Sequence, residues 1–117
     1  LMITIKRVYQ NYEPSDGFRI LIDRLWPRGI SKEKAKIDLW LKDIAPSNEL
    51  RKWFNHEPAK WDEFVKRYHQ ELDSRPNLIE DLKRLMGQHN TLTLLYSASD
   101  EELNNAAALI KYLESSK

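Results

Sequence analysis

Polar and charged residues follow three apolar segments of the chain at the point where each segment ends. They are Arg7 after the first, Asp23, Arg24 and Arg28 after the second, and Tyr96 and Ser97 after the third. If the segments are parallel strands, these side chains lie around one edge of a sheet, where open α/β sheets bind ligands. Because a guanidinium group carries a rigid fork of donors that fits phosphate or carboxylate, the pattern predicts an arginine-lined pocket for a small anion.

The residue types indicate candidate roles within this predicted pocket. Asp23 is a candidate base or a residue that orients Arg24, and Ser97 is a candidate donor to a substrate oxygen, so these three are the catalytic candidates. Four further residues are candidates for contacts with the ligand: Arg7, Arg28, Tyr96 and Asn104. A structural alternative remains open, in which Asp23 pairs with an arginine inside the fold and Ser97 caps a helix.

Composition excludes several common kinds of site. The chain has no cysteine, which rules out a disulfide framework, a thiolate metal site and a cysteine nucleophile. Its 3 glycines cannot form a dinucleotide-binding fingerprint or a Walker phosphate loop, and a Gly-x-Ser-x-Gly elbow is absent. The 3 histidines lack metal-ligand spacing with one another and with the carboxylates. We therefore predict no metal and no cofactor.

The elements that would position the pocket follow from the apolar pattern. Residues 2–8, 19–25 and 91–96 predict strands, and the runs within the second and third are nearly continuous in apolar character, as in strands covered on both faces. Residues 37–46 show no clear pattern. We predict a single small three-layer α/β domain over residues 2–117, with a short, mostly parallel sheet of about three strands flanked by about five helices.

Helical spacing of apolar residues and capping signals predict the helices. A long stripe runs from Trp61 to Leu72, and a second helix begins at Pro76 and ends at Gly87 in a left-handed turn. A capping box at residues 99–102 predicts the start of the terminal helix. Shorter helices are expected over residues 31–36 and 47–55, each opened by a serine, Ser31 and Ser47.

The overall charge limits the partners of the protein. Nineteen Lys and Arg against 18 Asp and Glu give a net charge of +1, which argues against a nucleic acid or an acidic membrane as partner. With neither a secretory pattern nor a bilayer-spanning apolar run, we expect a cytoplasmic location. Basic and aromatic residues alternate within residues 51–68, but at helical spacing, which favours core packing over base stacking.

A long segment of the chain resembles a known family. Residues 16–29 read Asp-Gly-Phe-Arg-Ile-Leu-Ile-Asp-Arg-Leu-Trp-Pro-Arg-Gly and resemble the signature of the YeaO-like branch of domain of unknown function family 488 (DUF 488). The similarity continues through residues 45–47, 50–54, 68–72 and 93–98, so it covers essentially the whole chain. It implies an uncharacterised α/β fold and no particular reaction.

This chain departs from the resemblance in two places. Other branches of the family carry a cysteine after the last strand and a Cys-His-Arg motif in the next helix, whereas this chain has Tyr96-Ser97 and no cysteine. Relatives in the branch often have a histidine before the paired asparagines, where this chain has Leu103 before Asn104-Asn105. Both departures argue against a mechanism that needs a thiol, a histidine base or a metal.

Three functions are consistent with the sequence. The leading hypothesis is the binding or processing of a small metabolite or nucleotide that carries phosphate or carboxylate, with enzymatic activity left open. The second is a non-enzymatic interaction or assembly module, in which the arginines are structural and the 4 tryptophans form a surface for a homo-oligomer. The third is sequence-tolerant binding of nucleic acid.

Overall fold

The sheet has four parallel strands. The computed structural model of the chain describes residues 2–115. The strands are β1 (Met2–Arg7), β2 (Phe18–Leu21), β3 (Leu39–Trp40) and β4 (Thr91–Tyr96), in the spatial order β1-β4-β2-β3. Every neighbouring pair is parallel, so all four carboxyl ends lie at one edge. The predicted α/β class with a mostly parallel sheet is confirmed, with four strands in place of about three.

Two strands differ from the prediction in extent. β2 ends at Leu21, followed by one more ladder bond from the Ile22 amide to the Leu95 carbonyl, and does not reach residue 25. The chain thus leaves the sheet well before Pro27, which has no amide hydrogen to donate to a ladder. β3 is only two residues long and lies in the segment without a clear pattern, where two residues are too few to show a period.

In the described part of the chain, five α-helices cover the sheet: α1 (Lys32–Ala35), α2 (Asn48–Phe54), α3 (Trp61–Asp73), α4 (Pro76–Gln88) and α5 (Asn105–Ser115). As predicted, Ser31 and Ser47 cap α1 and α2, accepting hydrogen bonds from the Lys34 and Leu50 amides. Among residues 2–115, no helix combines the length and apolar character that crossing a membrane requires.

Two predicted helix boundaries are wrong. Gly87 does not end α4 in a left-handed turn, because the helix continues to Gln88 and the chain then turns extended at His89. The capping box does not start α5. Instead, the Asp100 carboxylate accepts from two nearby backbone amides and forms a local turn, and Asn104 caps the helix by accepting from the Ala107 amide.

The two faces of the sheet are covered unequally. Ile20, Ile22, Leu92 and Leu94 face the main core, which α2, α3, α4 and α5 complete. Leu21 and Leu95 point the other way into a smaller cluster with Val8, Ala35 and the half-buried Trp26 and Trp40. The sheet therefore lies between a thick helical layer and a thin layer made of α1 and the loop after β2.

A buried charged network stabilises the thin layer. Arg19 on β2 is only 1% exposed, and its guanidinium donates to the carbonyls of Ala35 and Lys36 and to the Asp16 carboxylate. Lys6 on β1 donates to the same carboxylate. Burial by itself raises the pKa of Asp16, but donors from the Glu13 backbone, Lys6 and Arg19 outweigh it and hold the pKa below its usual value. All three guanidinium nitrogens of Arg19 therefore donate to partners within the fold, and the role of this side chain is structural.

Candidate functional site

A cleft of about 790 Å³ opens at the carboxyl edge of the sheet. It lies between the ends of β1, β2 and β4, the loop after β2, and residues of α2 and α3. Six of the seven residues that the sequence indicated line it: Arg7, Asp23, Arg24, Arg28, Ser97 and Asn104. A smaller hollow of about 140 Å³ beside Trp40 and Leu78 has no arginine among its described lining residues.

Asp23 connects three elements at the bottom of the cleft. Its Oδ2 accepts from the Ser97 amide at 2.9 Å and from the Ser97 hydroxyl at 2.6 Å, and its Oδ1 accepts from Nδ2 of Asn105 at 2.9 Å. The Asp23 carbonyl accepts from the indole of Trp40. The side chain therefore joins the end of β2 to the end of β4 and the first residue of α5, and no hydrogen bond to Arg24 is present within residues 2–115.

Arg7 is held in place by the loop after β4. Its Nε donates to the carbonyls of Ser97 and Ala98, at 3.2 and 2.9 Å. The guanidinium lies over the ring of Tyr9, whose hydroxyl donates to the Arg28 carbonyl. These contacts hold Nε of Arg7 in place, and within residues 2–115 its two terminal nitrogens make no hydrogen bond.

Arg24 has unusually few partners for a half-buried arginine. One terminal nitrogen donates to the Ala45 carbonyl at 3.2 Å, and the other lies 4.0 Å from the mostly exposed carboxylate of Asp43. Its Nε is buried and has no hydrogen-bond partner within residues 2–115. Buried polar atoms are nearly always paired in native proteins, so this guanidinium has spare donor capacity.

The predicted ligand contacts of Tyr96 and Asn104 do not match their surroundings. Tyr96 is on the same face of β4 as Leu94, so its side chain is buried in the main core and is not part of the cleft lining. Burial raises the pKa of this tyrosine, and the nearby Glu101 carboxylate adds to the rise. Asn104 lines the cleft, but its side chain caps α5 and donates to the Asp100 carbonyl, so both of its polar atoms are used.

The cleft is also lined by three polar residues that are not among the site residues predicted from the sequence: Arg51, His56 and Asn105. Arg51 and His56 come from α2 and its carboxyl end, a segment whose place beside the strand ends depends on tertiary packing. His56 lies in the left-handed region with a φ of 55°, and its ring contacts Phe54. Asn105 directly follows Asn104 in the sequence, and this adjacency is the signal that could have indicated it.

Apolar side chains also line the cleft. Phe54 and Phe64 are stacked with ring centroids 4.4 Å apart, and the half-buried side chains of Trp26 and Leu103 also line the space. Leu25 projects from the loop after β2 with 63% of its surface exposed. A ligand in the cleft therefore meets both cationic and apolar walls.

The aromatic residues that alternate with basic ones belong mostly to the fold. Phe54, Trp61, Phe64 and Tyr68 are buried in the main core, and the Tyr68 hydroxyl donates to the Ile44 carbonyl. Trp53 is covered by the cations of Lys60 and Arg67. Bases could not stack on these rings in this structure. Within residues 2–115 no cluster of three or more His, Asp or Glu could hold a metal ion.

Comparison with known proteins decides the family. The family model described as the inactive DUF488-N3 subclade matches residues 2–117. The chain belongs to this subclade. The resemblance to the DUF 488 family inferred from residues 16–29 is thereby confirmed.

Uncharacterized bacterial proteins are similar in sequence to this DUF488-N3 chain. The uncharacterized protein YeaO of Escherichia coli K12 is 45% identical over 115 residues, which cover 97% of each chain. The uncharacterized protein Rv3073c of Mycobacterium tuberculosis H37Rv is 40% identical over 111 residues, which cover 95% of this chain and 92% of the relative. No solved structure matches the chain.

Proposed function

We propose that this DUF488-N3 protein binds a small anionic metabolite, one that carries phosphate or carboxylate, in the cleft at the carboxyl edge of the sheet. The observation that carries the proposal is a charge imbalance: among the described lining residues, four are arginines and one is a carboxylate. The negative charge of that carboxylate, Asp23, is partly offset by hydrogen bonds that it accepts from Ser97 and Asn105. A cleft of one charge sign with low-dielectric walls concentrates ions of the opposite sign.

The incomplete bonding of Arg24 supports the proposal. The buried Nε of Arg24 has no partner within residues 2–115, which destabilises the fold by about 1–3 kcal/mol. The long, exposed ion pair between Arg24 and Asp43 contributes too little stability to offset this cost. An anion bound to the terminal nitrogens of Arg24 adds charge-assisted hydrogen bonds that offset the cost.

We propose binding without turnover. The description of the subclade as inactive supports this, and so does the environment of the candidate nucleophile. The hydroxyl and the backbone amide of Ser97 both donate to the Asp23 carboxylate, and this pair of hydrogen bonds holds the ends of β2 and β4 together. The one histidine among the described lining residues, His56, contacts Phe54.

Calorimetry and thermal unfolding with inorganic phosphate, pyrophosphate and citrate test the proposal. At least one of these anions should raise the melting temperature as its concentration rises, because a ligand bound only by the folded state stabilises it by about 2.7 kcal/mol at 100 times Kd. Arg24→Gln should weaken binding of that anion by about tenfold or more, through lost charge-assisted hydrogen bonds.

The matched control is Arg84→Gln. Arg84 lies on the exposed surface of α4, paired with Asp81, and does not line the cleft. This variant should bind the anion like the parent protein. The proposal fails if none of the three anions binds, or if the two arginine variants weaken binding equally.

A further inference from the structure

The lining of the cleft offers hydrogen-bond acceptors as well as donors. The acceptors belong to Asp23, Ser97 and Asn105, which the hydrogen bonds of the Asp23 carboxylate hold together. The donors belong to the arginines around them. The presence of both kinds of group limits which ligands fit the cleft more strictly than its positive charge does.

The direction of each hydrogen bond follows from the partners. A carboxylate only accepts, so the Ser97 hydroxyl must donate its hydrogen to Asp23, and what it presents to the cleft is lone pairs. The Asn105 amide contacts two acceptors, the Ile22 carbonyl and Asp23 Oδ1, so its nitrogen faces them and its oxygen is left to accept. A ligand that touches this acceptor group must bring hydrogens of its own.

A cationic donor lies directly beside the acceptor group. Nε of Arg7 is 3.2 Å from the carbonyl oxygen of Ser97, whose side chain is one of the acceptors. An anion on Arg7 and a donor on Ser97 therefore belong to neighbouring parts of one ligand. The positive charge of Arg7 and Arg24 disfavours an ammonium group as that donor and favours an uncharged hydroxyl.

We infer that the ligand is a phosphorylated sugar, free or as part of a nucleotide, with its phosphate at the arginines and its hydroxyls donating to Asp23, Ser97 and Asn105. This inference rests on the anion binding proposed above. A volume of about 790 Å³ accommodates either source. A plain alkyl phosphate would leave the acceptors without partners, which weakens binding.

Calorimetry on the full chain with four probes tests this inference: inorganic phosphate, n-pentyl phosphate, ribose 5-phosphate and adenosine 5′-monophosphate. Ribose 5-phosphate should bind roughly tenfold more tightly than pentyl phosphate, as two net hydrogen bonds predict. Tighter binding of the nucleotide than of ribose 5-phosphate would identify the nucleotide as the source, and weaker binding the free sugar phosphate.

Two variants connect the preference to the acceptor group. Ser97→Ala should reduce the ratio between the affinities for ribose 5-phosphate and pentyl phosphate by about threefold or more. Ser97→Thr keeps the hydroxyl and should restore the ratio, which controls for a general disturbance of the loop. Melting temperatures establish that both variants are folded.

The outcomes separate this inference from the proposed function. If phosphate and pentyl phosphate bind but ribose 5-phosphate binds no more tightly, the sugar is excluded while anion binding stands. If the ratio is the same in Ser97→Ala as in the parent protein, the acceptor role of Ser97 is wrong. If none of the four probes binds, the inference is wrong, and the proposed function then stands only if pyrophosphate or citrate binds.

Discussion

Replacing Asp23 by alanine should destabilise the whole carboxyl edge of the sheet. The side chain accepts three hydrogen bonds of 2.6–2.9 Å from β4 and α5, and the variant leaves an amide, a hydroxyl and a carboxamide without that acceptor. Hydrogen bonds to a charged group contribute about 1.5–3 kcal/mol each. Because Asp23 is half-buried beside an open cleft, water replaces part of each bond, and we expect a total loss of about 2–3 kcal/mol.

Urea unfolding followed by circular dichroism measures this loss. The midpoint should fall without a change in slope, and the melting temperature should drop by roughly 8–12 °C for a domain of this size. Asp81→Ala is the control: Asp81 forms an exposed ion pair with Arg84 on α4, and its removal should cost less than about 0.5 kcal/mol. Equal losses in the two variants would refute the role of Asp23 as the connection between β2, β4 and α5.

Two further predictions concern the thin layer of the fold. The pKa of Asp16 is lower in the folded protein than its ordinary value of 3.8, so its stabilisation is present in full above that value and is lost as the pH falls through the lower folded pKa. The stability gap between the parent protein and Asp16→Asn, measured by urea unfolding, should therefore shrink between pH 6 and pH 3; a constant gap would contradict this. Gly17→Ala should cost several kcal/mol, since the added Cβ would lie 2.2 Å from the Thr91 carbonyl oxygen at a φ of +67°. Gly29→Ala, with φ +77° but open space around it, should cost only about 1–2 kcal/mol, and similar losses in both glycine variants would show that the close contact has no effect.

The long apolar strands and helices could be predicted from the sequence because each extends over several periods. β4 and α3 are examples, and the parallel class followed from continuous apolar runs. β3 is too short to show a period. The start of α5 was misplaced because two residues that favour caps compete there, and Asp100 uses its carboxylate in a turn while Asn104 caps the helix.

The location of the site could be predicted because it depends on the parallel direction of the strands. Which side chains face the site could be predicted only in part. Parallel strands bring Arg7, Arg24 and Ser97 to one cleft, as their positions after three apolar segments predict. The orientation of Tyr96 depends on which face of β4 carries the thick helical layer, and periodicity alone does not reveal that. Arg19 was not singled out because its burial depends on carbonyls from α1 that only the folded chain brings together.

The strand order has a consequence for how the protein is made. Among the described strands β1 has β4 as its one neighbour, and the hydrogen bond between the hydroxyls of Thr4 and Thr93 spans 89 positions of sequence. During synthesis β1 therefore emerges from the ribosome long before its neighbour exists, and β2 also lacks its longer partner until then. Unpaired apolar strands associate readily with other chains, so the nascent polypeptide should depend on chaperones until residue 96 has emerged and the sheet can close.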